Sequence, residues 1–189
     1  VEESIEFGVE VLNPRESEVI IESNTPAIEL AQGAKTYRDT LQLDSNYWAK
    51  LETPSWPAGL YTFSYGDQSW QVYLKPGKTL YAQINGADPT QPIEFQGRLK
   101  KVANYLQERN AVVERLSEEV RPAFGSAEAD FLAFVDSSRK VLDSMLVQFT
   151  TNNTRFDMEF MRRQGLSNYY IIAQWLENYP SYREYYVAE

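Results

Sequence analysis

The sequence predicts an α+β protein, in which an N-terminal antiparallel β-sandwich of seven to nine short strands is followed by a C-terminal all-helical domain of about four helices. Three observations carry this. Seven of the nine glycines and seven of the nine prolines lie at or before Gly97, and punctuation this dense means many turns. Apolar residues alternate at period two up to that point and recur at three- and four-residue spacing after it. Charge divides there as well: residues 1–97 hold 6 basic and 14 acidic side chains, whereas residues 98–189 hold 12 and 13. The expected domains are a β-sandwich over residues 1–90 and a helical domain over residues 91–189.

The strand signals come in order. Ile5, Phe7, Val9 and Val11 alternate with Glu6, Gly8 and Glu10, which places the four apolar side chains on one face. Glu18–Glu22 is a short apolar run, and Ala27–Leu30 reads as a further strand. Lys35–Leu43 alternates through Tyr37, Leu41 and Leu43. Segments 47–51, 59–65, 69–74, 79–84 and 93–95 complete the set. Asn13-Pro14, Asn24-Thr25-Pro26, Gly66-Asp67 and Lys75-Pro76-Gly77 supply the turns, with Pro76-Gly77 suited to the centre of a type II turn. Regular spacing of this kind argues for a sandwich. Gly86–Pro92 reads as the linker, since its two prolines suit neither a central strand nor a helix interior.

Helical spacing begins at Leu99 and continues through Val102, Leu106, Val113 and Leu116 to Arg121-Pro122. Ser126 is the expected N-cap of the next helix, with Glu128 and Asp130 in its first turn and a stripe through Phe131, Phe134, Val135, Val141 or Leu142, Met145 and Phe149. Thr154–Asp157 resembles a capping box for a third helix that stops at Gly165. A fourth runs from about Ser167 to Asn178 and ends before Pro180.

The composition, 43% hydrophobic and 24% charged over 189 residues, is that of a folded protein with a substantial core. A net charge of −9 sets the chain against nucleic acid, whose phosphates it would repel. No apolar run approaches the roughly 18 residues that a membrane span requires. The start at Val1 rather than Met suggests a processed N-terminus and an extracytoplasmic home.

Cysteine and histidine are both absent. Thiol nucleophiles, disulfide exchange, zinc of the usual kind and imidazole general-base chemistry are thereby excluded from this chain. Asp130 and Asp136 stand six residues apart on a helix and do not converge, so they read as solvated surface. Arg98, Lys100 and Lys101 follow Gly97 at a helix start, but without the glycine-rich loop of a phosphate site. No calcium-loop pattern occurs. The expectation is a chain with no catalytic residues, no cofactor and no metal.

Aromatic residues offer the clearest binding signal. Trp48, Trp56 and Trp70 lie among tyrosines in the strand half, where filling the core is the default and stacking a ligand the alternative. Trp56, between Pro54 and Pro57 in a loop, is the exception expected to be exposed. The last residues, with Tyr179, Tyr182, Tyr185 and Tyr186, either fold back on the helices or lead into a downstream domain, the second reading being preferred.

Three short motifs carry a resemblance to a known family. Leu74, Pro76 and Gly77 form the first, Ile93, Phe95 and Gly97 the second, Asn104 and Leu106 the third; Gly59-Leu60-Tyr61 adds a weaker one in which Ala58 stands where a proline is usual. Their order and spacing resemble the N-terminal region of the TlpA-type, thioredoxin-like thiol-disulfide oxidoreductases common in Bacteroidetes. That resemblance implies an accessory module in the periplasm or cell envelope that positions or dimerises a downstream thioredoxin-like domain, or holds its protein client. It also implies a lipid anchor upstream, and a homodimer is one arrangement that would serve. The redox cysteines belong to a domain outside this chain. The alternative function is a stand-alone extracytoplasmic domain that binds glycan or peptide through exposed aromatics.

Overall fold

The computed structural model describes residues 3–153 and 155–188. The chain forms two compact units, Val1–Gln107 and Glu108–Glu189, each with its own core. The α+β class, with strands first and long helices after, is as the sequence predicts.

Among the described residues the first unit holds eight strands in two four-stranded sheets. They are β1 (Ile5–Leu12), β2 (Glu18–Ser23), β3 (Arg38–Gln42), β4 (Trp48–Thr53), β5 (Gly59–Tyr65), β6 (Gln68–Leu74), β7 (Thr79–Asn85) and β8 (Glu94–Gln96). One sheet has the order β4-β1-β7-β8 and the other β3-β2-β5-β6. All pairings are antiparallel except β1 with β7, which run parallel. Period-two alternation does what it should: Ile5, Phe7, Val9 and Val11 are at most 1% exposed, as are Val19, Ile21, Tyr61, Phe63, Val72 and Leu80. Phe7 of one sheet meets Phe63 of the other with ring centroids 5.2 Å apart.

Turn chemistry sets the register. Gly77 takes φ 76° at the third position of its turn, and the Lys78 amide donates to the Lys75 carbonyl at 3.1 Å. The Tyr65 hydroxyl accepts from the amides of Arg15 and Glu16 at 2.6 and 2.7 Å, which ties the β1–β2 loop to β5.

Several local expectations give way. Ala27–Leu30 is not a strand; α1 (Ala27–Ala31) is a single helical turn started by Pro26 and made of good helix formers. Tyr47 is not in β4, because it takes φ 64° in a turn organised by Asp44. The Asp44 carboxylate accepts from the amides of Trp48 and Asn46, which holds its pKa down. Gly86–Pro92 connects β7 to β8, which returns antiparallel beside it (Ala82 opposite Phe95).

Among the described residues three long helices follow: α2 (Lys100–Ala123), α3 (Glu128–Asn152) and α4 (Met158–Val187). The division between the units falls inside α2. Its first two turns bury Val102, Ala103 and Leu106, and Gln107 donates from its side chain to the Gln71 carbonyl at 2.8 Å.

The second unit has a core of Leu116, Val120, Phe124, Phe131, Val135, Leu142, Ile172 and Trp175. Ser126 is not the cap of α3. Its hydroxyl donates to the Ala123 carbonyl at 2.7 Å at the end of α2, and Ala127 takes the N-cap position. Thr154, the expected capping residue of the third helix, lies outside the described residues. Asp157 caps α4 by accepting from the Glu159 amide at 2.9 Å.

Neither Gly165 nor Pro180 ends a helix, so the two helices expected there are one. A side chain at Gly165 would meet only Leu146, at 3.8 Å, while Gln164 and Asn168 beside it are buried and Asn168 bonds to Arg109 and to the Leu142 carbonyl. Beyond Pro180 the helix is tied down by Tyr179 and Arg183, both of which donate to the Ser126 carbonyl, at 2.9 and 2.8 Å.

A buried polar network also joins α2 to α4. Arg109, 7% exposed, donates through Nε and Nη2 to Asn168 Oδ1 at 3.3 and 3.1 Å and through Nη2 to Ser167 at 2.8 Å. Removing the Asn168 acceptor would leave a buried charged donor short of partners, which costs more than an ordinary lost hydrogen bond. Asn168→Ala is therefore expected to lower unfolding stability in urea by about 2–3 kcal/mol, whereas Tyr169→Ala on the exposed side should change it by less than about 0.5 kcal/mol.

The first turn of α4 responds to acid. Arg162 first, then Arg163, hold the Glu159 carboxyl down to about 2 by hydrogen bonding. A lowered pKa stabilises the folded state above the unfolded value and loses that effect as the pH falls through the folded one. Amide exchange in residues 158–162 should accelerate between about pH 4.5 and 2 relative to the rest of α4, and Glu159→Gln should remove the difference.

Candidate functional site

The expected interaction residues fall in both units, Trp56 in the first and Tyr179, Tyr182, Tyr185 and Tyr186 in the second. Trp56 lies in the β4–β5 loop and is half-buried. Its ring stacks on Tyr61, with centroids 5.5 Å apart and planes 7° apart, and leans on Tyr37 at 5.9 Å. Tyr61 is nearly fully buried and its hydroxyl donates to the Pro57 carbonyl at 2.6 Å, so the proline-flanked loop is pinned from below. Burial raises the Tyr61 pKa, and the nearby Tyr37 adds to the effect.

The other four lie on the last turns of α4 and play different parts. Tyr179 is half-buried and stacks on Phe131, with centroids 4.0 Å and planes 11° apart; its hydroxyl accepts from Arg183 at 2.6 Å. Tyr182 covers Phe124 at 4.8 Å yet remains 47% exposed. Tyr185 and Tyr186 sit edge to face at 5.6 Å, 63% and 41% exposed, and Val187 beside them is 61% exposed. Tyr179 and Tyr182 thus anchor the end of α4, and Tyr185, Tyr186 and Val187 present apolar surface to solvent.

The same helix has a second exposed stripe that the sequence reading did not single out. Leu166, Tyr169, Tyr170 and Leu176 are 38–65% exposed at helical spacing, on the side away from Asn168, Ile172 and Trp175. The signal was present as apolar residues on too wide an arc for one buried face.

No group of three or more metal-ligating side chains occurs among the described residues. No helix of the described residues is long and apolar enough to cross a membrane. Asp136 pairs with Lys140 at 2.7 Å and Arg139 at 2.6 Å on its own helix, which lowers its pKa and accounts for it as surface. Comparison with known protein families, with characterised proteins and with solved structures returned no match.

The Trp56–Tyr61 stack has a direct readout. A raised pKa means that Tyr61 stabilises the fold below its unfolded value and opposes it as the pH rises. In an alkaline titration followed by tyrosinate absorbance, Tyr61 should ionise after the exposed tyrosines, and Trp56→Ala, which opens its ring to water, should bring it back toward them.

Proposed function

We propose that this chain is a non-catalytic module that acts by protein–protein contact, as the extracytoplasmic accessory part of a thioredoxin-like disulfide oxidoreductase. Its role would be to position or dimerise the redox domain, or to hold that domain's client. The observation that carries the reading is the exposed aromatic end of α4, where Tyr182, Tyr185, Tyr186 and Val187 are each at least 41% exposed. Surfaces of this kind cost solvation when left bare and are typical of contact sites, and tyrosine is among the residues that dominate interface energies.

The way α4 is fixed supports the same reading. Tyr179 and Arg183 lock the helix to the Ser126 carbonyl, so the outer rings are presented on a rigid element that loses little entropy on docking. The motif resemblance around Leu74–Gly77 and Ile93–Gly97 is what suggests a thioredoxin-like partner. The chain has no cysteine, which is consistent with thiol chemistry residing in such a partner.

A photo-crosslinking residue placed at Tyr185 of the native protein in its host should yield an adduct to a thioredoxin-like domain or its client, while one at Ser137, exposed on α3, should not. With the partner identified, Tyr185→Ser combined with Tyr186→Ser should weaken association about tenfold or more without changing the melting temperature. Absence of any adduct at Tyr185 would contradict the reading.

A further inference from the structure

A separate site lies on the solvent-facing side of the β4-β1-β7-β8 sheet, and it is built around an absence. Gly8 occupies the middle of β1, opposite Lys50 of β4 and Tyr81 of β7. A Cβ added there would stand 3.0 Å from Tyr81 Cδ1 and 3.3 Å from Trp48 Cζ3, so both rings close in on the space that a side chain would have filled. Trp48 and Tyr81 meet at 85° with centroids 6.1 Å apart and form an aromatic corner. Beside it is a cavity of about 220 Å³, lined by Trp48, Tyr81, Glu10, Gln83, Glu94 and Gln96 with Ala82. That is below the roughly 300–1,000 Å³ of sites for drug-sized ligands and suits a single small ring.

Register explains the polar rim. Trp48, Glu10, Gln83 and Glu94 form one row across four strands, and Tyr81 with Gln96 belongs to the next. Gln83 donates to Glu10 Oε2 at 2.9 Å, which leaves Oε1 of that carboxylate open. Among the described residues no hydrogen bond within the chain engages the Trp48 indole N–H, the Tyr81 hydroxyl, the Glu94 carboxylate or the Gln96 amide.

The site therefore offers apolar ring faces bordered by both donors and acceptors. Two carboxylates in the lining disfavour an anion; Lys50 is not part of that lining, its Nζ lying over the Trp48 ring 5.7 Å from the centroid. A simple cation would use the carboxylates and the ring faces but leave the indole and amide donors unmatched. A sugar matches the whole set: its C–H face packs on an aromatic ring, and each hydroxyl both donates and accepts. We propose that this trough binds a neutral pyranose ring, with Trp48 and Tyr81 as the platform and Glu10, Gln83, Glu94 and Gln96 reading its hydroxyls. This site is independent of the contact surface on α4.

The test is titration of the full chain, followed by ¹H–¹⁵N NMR, with methyl β-glucopyranoside, methyl β-galactopyranoside and methyl β-N-acetylglucosaminide, and with tetramethylammonium as the cation control. At least one glycoside should bind saturably with a dissociation constant on the order of 1 mM and shift the Trp48 indole signal. Gly8→Ala, whose Cβ would press on Tyr81 and Trp48 and spread the aromatic corner, should weaken it by about tenfold or more. The paired surface changes Glu94→Ala and Gln96→Ala should do the same with an unchanged melting temperature, which guards against a folding defect at Gly8. Glu94→Gln, which keeps an acceptor and removes charge, should alter glycoside binding by less than about threefold. The proposal is overturned if no glycoside binds saturably, if the shifts lie away from Trp48 and Tyr81, or if tetramethylammonium binds there and the glycosides do not.

Discussion

The first unit depends on β1. This strand is hydrogen-bonded on both sides, antiparallel to β4 and parallel to β7, and its four inward side chains are among the most completely buried in the chain. Phe7 meets Phe63 of the other sheet, and truncating so buried an aromatic typically costs about 3–5 kcal/mol. The outward side of the same strand is set by the same alternation. Once Phe7 and Val9 face the core, Gly8 and Glu10 must face out, and the missing side chain at Gly8 is what lets Trp48 and Tyr81 converge. A one-residue slip of β1 would destroy core and trough together.

The second unit is organised differently. Its apolar core is joined by polar contacts that specify direction as well as energy. Arg109 reaches from α2 to Asn168 on α4, and Asn168 in turn donates to the Leu142 carbonyl of α3 at 3.4 Å, so one asparagine touches all three helices. At the other end the Ser126 carbonyl takes two donors from α4. These ties accompany a single helix of thirty residues that continues through a glycine and a proline.

Much of the fold was legible because it rests on periodicity. Alternation in Ile5–Val11 and spacing in Leu99–Leu116 depend on which side chains water excludes, and both appear as expected. What was not legible depends on competition for hydrogen bonds. Ser126 has the composition of an N-cap but serves the preceding helix; Pro26 starts a helical turn where Ala27–Leu30 looked extended; Gly165 and Pro180 carry stop signals that tertiary ties override. The site was legible in residue type and not in place. Trp56 was singled out for its prolines, yet those prolines help pack it on Tyr61. In sequence Trp48 is one tryptophan among several, since its pairing with Tyr81 across Gly8 requires the β1–β7 parallel register, which joins residues more than seventy positions apart.

The proposed role is contact within a larger redox protein. The most direct measurement is the intact mass and thiol content of the native protein, isolated from its host with an antibody raised to this chain. A product larger than 21.8 kDa by a domain of about 100 residues or more, with thiols that cycle between oxidised and reduced states, is the result the account predicts. A thiol-free product near 21.8 kDa would contradict it.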